Sequence, residues 1–299
     1  MIETSDSGIN SQLEAWLPKG QHTPPGLYLV ATPIGNLADI TLRAIFILRL
    51  ADIILCEDTR VTRKLLSAYG ISAKLYAYHE HNADSMEQTV LEQLQSGKRI
   101  ALVSDAGTPL ISDPGYTLVR AVQEAGIYLT SIPGVSSVIT ALTLSGMPTD
   151  QFLYVGFLPS KKGQRDKAIA GLATAPSTLV ILEAPHRLQD ALQSMQEGWP
   201  NRTLAVAREL TKRHEELRRG TPAELLAYYT QHPPKGEIVL VASPPSAIEI
   251  SPEQEALTLD SALAQALKTM RVKEASNSVA DSLNLPRKQV YARALELKA

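Results

Sequence analysis

Residues 99–115 read RIALVSDAGTPLISDPG, a strand pattern that runs into a long loop of small residues. Arg99 to Asp105 is an apolar run of strand length. Ser104 to Gly115 is too rich in glycine, proline and aspartate for a helix, and too long for a simple turn. In an open α/β sheet, ligands bind beyond the carboxyl ends of the strands, where glycine lets the backbone approach them closely. Asp105 can accept there from ribose hydroxyls or from an ammonium group, while neighbouring amides face a carboxylate. Asp113, just ahead of Pro114, suits the role of a helix cap better.

Outward from this stretch, runs of the same kind lie at Leu27 to Thr32, Asp52 to Asp58, Lys74 to His79 and Tyr128 to Ile132. Amphipathic segments separate them: Thr41 to Leu50, Thr59 to Tyr69, Ser85 to Ser96, Tyr116 to Ala125 and Val135 to Leu144. This alternation predicts an α/β layer on a largely parallel sheet. A second small-residue loop, Thr32-Pro33-Ile34-Gly35-Asn36, follows the first strand. Ser145-Gly146-Met147-Pro148 then stops a helix, and a second α/β unit is expected from Phe152. Its strands are read at Phe152 to Leu158, Thr178 to Glu183, Thr203 to Glu209 and Glu237 to Ala242. Its helices are read at Asp166 to Ala173, Leu188 to Glu197 and Pro222 to Gln231. Thr221-Pro222-Ala223-Glu224 has the form of a capping box with proline in the first turn. Three short helical patterns without strand signal follow Pro244-Pro245-Ser246. The expected organisation is a disordered tail over 1–23, α/β subdomains over 24–147 and 148–245, and a linker with a helical appendage over 246–299.

Composition narrows the function. With 299 residues, 44% of them hydrophobic and 20% charged, the chain can bury a full core. Its one cysteine, Cys56, lies in the apolar run Ile53-Ile54-Leu55-Cys56, where a buried thiol in a reducing compartment is expected. Met1 to Lys19 has no signal-peptide pattern, and no run reaches the roughly 18 apolar residues of a membrane span, so a cytoplasmic location is expected. A net charge of −2 means that contact with nucleic acid must come from local basic patches. There is no Walker A loop and no G-x-G-x-x-G after the first strand, which disfavours nucleotide triphosphatases and ordinary dinucleotide enzymes. His79-Glu80-His81-Asn82 lacks the further ligands of a metal site; substrate contact or internal hydrogen bonding is the better reading, and no metal is expected. Lys268 to Ala299 carries seven Lys or Arg against three Asp or Glu, and Asn284-Leu285-Pro286 breaks two helices there in a helix-turn-helix manner. That part suits either a solvated cap or an RNA contact.

The strings TPIGNLADIT, EDTR at Glu57 to Arg60, SDAGTPLISDPG and PGVSS at Pro133 to Ser137, in this order, resemble the tetrapyrrole methylase family (class III methyltransferases that use S-adenosylmethionine, SAM). More narrowly, they resemble its bacterial branch that acts on small-subunit ribosomal RNA. The resemblance implies two α/β subdomains with SAM folded into the cleft between them, a helical tail, and commonly a homodimer. It implies a cofactor site at Pro33, Asp105, Gly107, Ile111, Ser136 and Ser137 in the first subdomain, and at Glu183, Ala207 and Gly236 in the second. Ser136 and Ser137, opening a helix, offer amides suited to a carboxylate. The implied reaction is methylation of a cytidine ribose 2′-hydroxyl in the decoding centre of 16S ribosomal RNA, free or in the assembled subunit. Positioning would supply roughly 7–11 kcal/mol of such a reaction's barrier, and a general base about 10²–10⁴-fold. Candidate bases are Asp58 and Glu209, with Arg60, Arg187 or Lys212 holding phosphate or developing charge. Lys161, Lys162 and Arg165 are further candidates for RNA phosphates. A tetrapyrrole or precorrin methyltransferase and a non-catalytic RNA-binding assembly protein are the rival readings.

Overall fold

A computed structural model describes residues 23–79, 82–245, 252–268, 270–283 and 285–297. The expected tail up to residue 22, Glu80, His81, Asn284 and the linker over 246–251 lie outside the described residues. The chain forms two compact units, one up to Pro245 and one from Ser246 on.

The first sheet of the larger unit holds β1 (Gly26–Val30), β2 (Ile53–Cys56), β3 (Leu75–Ala77), β4 (Arg99–Val103) and β5 (Leu129–Ile132), in the order β3-β2-β4-β1-β5. Every neighbouring pair is parallel. The links carry α1 (Leu42–Leu50), α2 (Thr59–Ala68), α3 (Ala83–Gln95) and α4 (Tyr116–Glu124). Tyr28, Val30, Ile54, Cys56, Ala101 and Val103 face Ala44, Ile45, Leu48 and Leu66 of α1 and α2. Leu27, Leu55, Ile100 and Leu102 face Val90, Leu94, Leu118 and Val122 of α3 and α4. Both faces are covered over the inner strands β1, β2 and β4, which is why these read as apolar runs.

The second sheet holds β6 (Phe152–Phe157), β7 (Thr178–Glu183), β8 (Leu204–Arg208), β9 (Glu216–Gly220) and β10 (Ile238–Ala242), in the order β6-β7-β10-β8-β9. Only β6 and β7 are parallel; β10 runs against β7 and β8, and β9 against β8. Helices α6 (Lys162–Gly171), α7 (Leu188–Gly198) and α8 (Pro222–Gln231) cover one face. The expected capping box is present: Glu224 N–H donates to Thr221 Oγ1 at 3.3 Å, and Thr221 N–H to Glu224 Oε2 at 2.8 Å.

The other face is covered by α5 (Ser137–Ser145), which follows β5 but turns Val138, Ala141 and Leu142 onto Val180, Ala205, Ala207, Val239 and Val241. Ile34, in the loop after β1, joins the same cluster. The helix that completes the first sheet thus forms the joint to the second. The smaller unit packs α9 (Pro252–Ala266), α10 (Val272–Leu283) and α11 (Arg287–Glu296) around Leu259, Leu263, Val279, Ala280, Val290 and Ala294. Arg293 clamps Asp260 with two hydrogen bonds, of 2.7 and 2.6 Å.

Candidate active site

Because β1 and β4 are neighbours and β5 flanks β1, their three carboxyl-end loops meet. Thr32 and Gly107 exchange backbone hydrogen bonds of 2.8 and 3.0 Å, and Thr32 Oγ1 donates to the Ser104 carbonyl at 3.2 Å. Thr108 Oγ1 donates to the Val135 carbonyl at 2.9 Å and ties in the loop after β5. Pro33, Asp105, Gly107 and Ser136 are thereby held on one structure. Gly107 is suited by its lack of a side chain: its φ is +82°, in the left-handed region that favours glycine. Asp105 is half-buried and accepts the Asp58 amide at 3.1 Å. Ile111 is 43% exposed, between Leu110 and Ser112, two non-glycine residues with φ of 73° and 67°. Such backbone gathers where the surroundings over-determine it, and functional sites are one such place.

Ser136 opens α5 in an extended conformation without a side-chain cap. The first amides of this helix, from Ser137 onward, face outward with the positive end of its dipole. A cleft of about 450 Å³ lies there, lined by Asp39, Thr41, Gly134, Val135, Ser136, Ile139, Thr140 and Thr211. Its volume falls in the small-ligand range.

From the second sheet, the loop after β8 reaches the same cleft through Thr211. Glu209 and Thr211 both have positive φ, 51° and 65°. The Glu209 carboxylate rests on the backbone of Gly236, itself at φ +83°, where any Cβ would overlap it. Lys212 Nζ bridges Glu209 Oε1 at 3.0 Å and Glu237 Oε2 at 3.4 Å. Its stem lies over Gly35, so the cluster reaches the loop after β1. The hydrogen bond from Lys212 leads in lowering the Glu209 pKa; burial opposes the Lys212 charge, but the two carboxylates raise its pKa all the same.

Some other expectations are corrected. Arg165 does not offer itself to a phosphate: it is buried, donating to Ser194 Oγ and the Ser160 carbonyl at 3.0 Å each. Arg187 donates to the Leu158 carbonyl and pairs with Glu183 at 3.2 Å. Glu183 shares a face with Leu179 and Ile181, turned toward α6 to α8 and away from α5; burial leads in raising its pKa. Ala207 lies on the α5 face but is fully covered. Lys162 is held by Asp166 and Glu197 at 2.8 and 2.9 Å and Arg60 by Asp58 at 2.6 Å, both at the surface, and Lys161 is exposed as well. Asp58 caps α2 through the Arg60 amide at 2.8 Å, and the Arg60 side chain leads in lowering its pKa to about 2. Asp113 does not cap α4, whose N-cap is Gly115; burial pushes its pKa up to about 6, against a hydrogen bond with Ser104. His79 N–H donates to Asn82 Oδ1 at 2.8 Å, a turn contact. Among the described residues, no group of three or more His, Cys, Asp or Glu is arranged to hold a metal, and no helix is long and apolar enough to cross a membrane.

Asp39 is a member of the site that sequence reasoning passed over. It lies in TPIGNLADIT, but in a 3-10 turn, Leu37–Asp39, too short to show a periodicity.

Residues 26–226 match the family of Tetrapyrrole (Corrin/Porphyrin) Methylases, and residues 253–298 match the RsmI C-terminal HTH domain. Proteins named ribosomal RNA small subunit methyltransferase I are similar across most of the chain. The one from Mesorhizobium japonicum is 47% identical over 92% of both chains, and that from Escherichia coli O157:H7 is 46% identical over 90% of this chain and 94% of its own. In fold, the chain resembles diphthine synthase (TM-score 0.58, 13% identity, 73% of this chain and 89% of that one). It also resembles uroporphyrin-III C-methyltransferase from Thermus thermophilus complexed with S-adenosylhomocysteine (TM-score 0.52, 17% identity, 73% and 97%). The stitched loops of a parallel sheet, the helix that joins it to a mixed second sheet, and these matches together make the chain a member of the tetrapyrrole methylase family, in its branch of small-subunit ribosomal RNA methyltransferases.

Proposed function

We propose that this chain transfers the methyl group of SAM to the 2′-hydroxyl of a cytidine ribose in the decoding centre of 16S ribosomal RNA, in the cytoplasm and as a homodimer. The observation that carries the reading is the uncapped head of α5, beside Asp105 and Gly107, in a chain so similar to ribosomal RNA methyltransferases over nearly its whole length.

The donor set fits SAM. The amides opening α5, at Ser136 and Ser137, suit the methionine carboxylate. Asp105 suits its ammonium or a ribose hydroxyl, and Gly107 lets the backbone come close. Bound SAM supplies an electrophilic methyl carbon on a sulfonium. The chain's own task is then to position the acceptor, exclude water and take up a proton, with positioning the largest contribution, roughly 7–11 kcal/mol. Lys161, exposed, is the cation best suited to phosphate; Arg60 and Lys212, at the surface and beside the cleft, would have to share their charge with Asp58 and with Glu209 and Glu237. Phe152, Leu153 and Phe157 stand exposed on the sheet-edge strand β6 and support the homodimer reading, which sedimentation tests.

The purified protein, offered labelled SAM with small ribosomal subunits, free 16S RNA or a precorrin-type tetrapyrrole, should label RNA resistant to alkaline cleavage at one position. Label in the tetrapyrrole alone would replace the reading with the rival small-molecule methyltransferase. RNA binding without SAM binding would replace it with an assembly role.

A further inference from the structure

A ribose hydroxyl is a weak acid, and neither Asp58 nor Glu209 is free to take its proton. Asp58 is held by Arg60, and Glu209 by Lys212 and the Glu237 amide. Asp39 is placed differently. It lines the cleft at the head of α5, and its Oδ2 is enclosed yet receives no hydrogen bond from any described residue. Thr211 Oγ1, in the wall of the same cleft, is also enclosed and likewise without a partner among the described residues. Enclosed polar atoms are nearly always paired, so these two, carried by residues of one cleft wall, are open to a polar partner there, a water or a ligand group.

The segment carrying Asp39 is well braced. Asn36 Oδ1 accepts the Ala38 amide at 3.0 Å, and the Tyr69 hydroxyl donates to the Leu37 carbonyl. Thr41 caps α1 by accepting the Ala44 amide at 3.1 Å. A carboxylate on such a turn is pre-positioned, as a catalytic group must be. The amides that suit the methionine carboxylate border the same cleft, which would bring methyl donor and acceptor side by side.

We propose that Asp39 is the general base of the methyl transfer and that Thr211 orients the acceptor hydroxyl. This rests on the ribosomal RNA reading above. The ribose O–H bond breaks and its proton goes to the Asp39 carboxylate. The freed electron pair forms the new O–CH₃ bond to the sulfonium methyl carbon, as the bond from that carbon to sulfur breaks and sulfur keeps the pair as a neutral thioether. Asp39 then returns its proton to water.

The test compares wild type with Asp39→Asn, Asp39→Glu and Thr211→Val for methyl transfer to small ribosomal subunits across pH, alongside calorimetry with S-adenosylhomocysteine. In Asp39→Asn, kcat should fall at least about 100-fold and lose its acid limb, while KM and S-adenosylhomocysteine affinity stay within about threefold. Asp39→Glu should recover part of the rate, and Thr211→Val should lower kcat without weakening S-adenosylhomocysteine. A kcat within about fivefold of wild type in Asp39→Asn overturns the proposal. So does a loss of S-adenosylhomocysteine affinity that matches the loss of rate, which would make Asp39 a cofactor ligand. If Asp39→Asn does not fold, Thr211→Val decides, and an unchanged kcat there overturns the proposal. A wild-type protein that binds S-adenosylhomocysteine but leaves the subunits unmethylated overturns the substrate reading first, and this one with it.

Discussion

Thr32 and Gly107 exchange both of their backbone hydrogen bonds, at 2.8 and 3.0 Å, so the loops after β1 and β4 are joined by a two-residue antiparallel bridge at the ends of parallel strands. Gly107 holds its side of the bridge at φ +82°, and a Cβ there would stand 3.4 Å from Ile34 Cγ2. Gly107→Ala therefore meets left-handed strain of about 1–2 kcal/mol, although its Cβ makes only an ordinary contact with Ile34. The expected outcome is a lower unfolding free energy in urea and a SAM affinity reduced by more than the stability change accounts for. Calorimetry at a temperature where the variant is folded measures the second part.

Arg165 and Lys161 are four residues apart and should behave in opposite ways. Arg165→Met leaves Ser194 and the Ser160 carbonyl without their partner, a loss of about 2–5 kcal/mol in denaturant unfolding, with RNA affinity retained in the folded fraction. Lys161, exposed at the head of α6, should leave stability unchanged when replaced by alanine. It should instead lower the salt dependence of RNA binding by about one unit of slope. Filter binding over a salt series separates the two.

Asp113 makes the fold sensitive to pH from the alkaline side. Its folded pKa, near 6, lies above the ordinary value of 3.8, so the folded protein holds this proton more tightly than the unfolded chain does. Its contribution to stability is complete at the acid end and is lost as pH rises through about 6. Asp113→Asn should thus melt higher than wild type at pH near 7.5, with the gap closing below pH 6 toward 4. A gap that widens on acidification would mean that Asp113 is held as a carboxylate.

What could be read in the sequence follows from how local its causes are. The first sheet was legible chiefly through β1, β2 and β4, which are buried on both faces and so mostly apolar, and the α8 boundary because Thr221 and Glu224 cap it within four residues. Strand β9 was not legible: Glu216-Leu217-Arg218-Arg219-Gly220 lies on a sheet edge, where charge is tolerated and only the pairing with β8 makes it a strand. The antiparallel course of β10 between β7 and β8 is likewise set by packing at a distance. Among site residues, Asp105 and Gly107 belong to a loop whose composition announces itself. Arg165 looked like part of a basic loop, yet the residues that bury it, Ser160 and Ser194, are distant in sequence or beyond its own helix.

Glu209 is linked through Lys212 to Gly35, so the loop after β8 is held against the loop after β1. Glu209 is bent back over Gly236 at a positive φ, an arrangement that disperses its charge onto Lys212 rather than into solvent. Its pKa is lowered, chiefly by the Lys212 hydrogen bond, so its contribution is present at neutral pH and is lost as pH falls below the usual carboxylate range. Lys212→Met removes the partner but keeps most of the stem that packs on Gly35. The variant should be less stable than wild type at pH 7 and should lose less on acidification, so that the two melting curves converge in acid. Gly236→Ala acts on the same cluster from the other side, because its Cβ would displace the Glu209 carboxylate. If Gly236, Glu209 and Lys212 act as a unit, Gly236→Ala combined with Lys212→Met costs less than the sum of the two separate losses. A double-mutant cycle in urea measures the difference, and strict additivity would mean that the Glu209–Lys212 pair contributes nothing to holding the loop after β8 against the loop after β1.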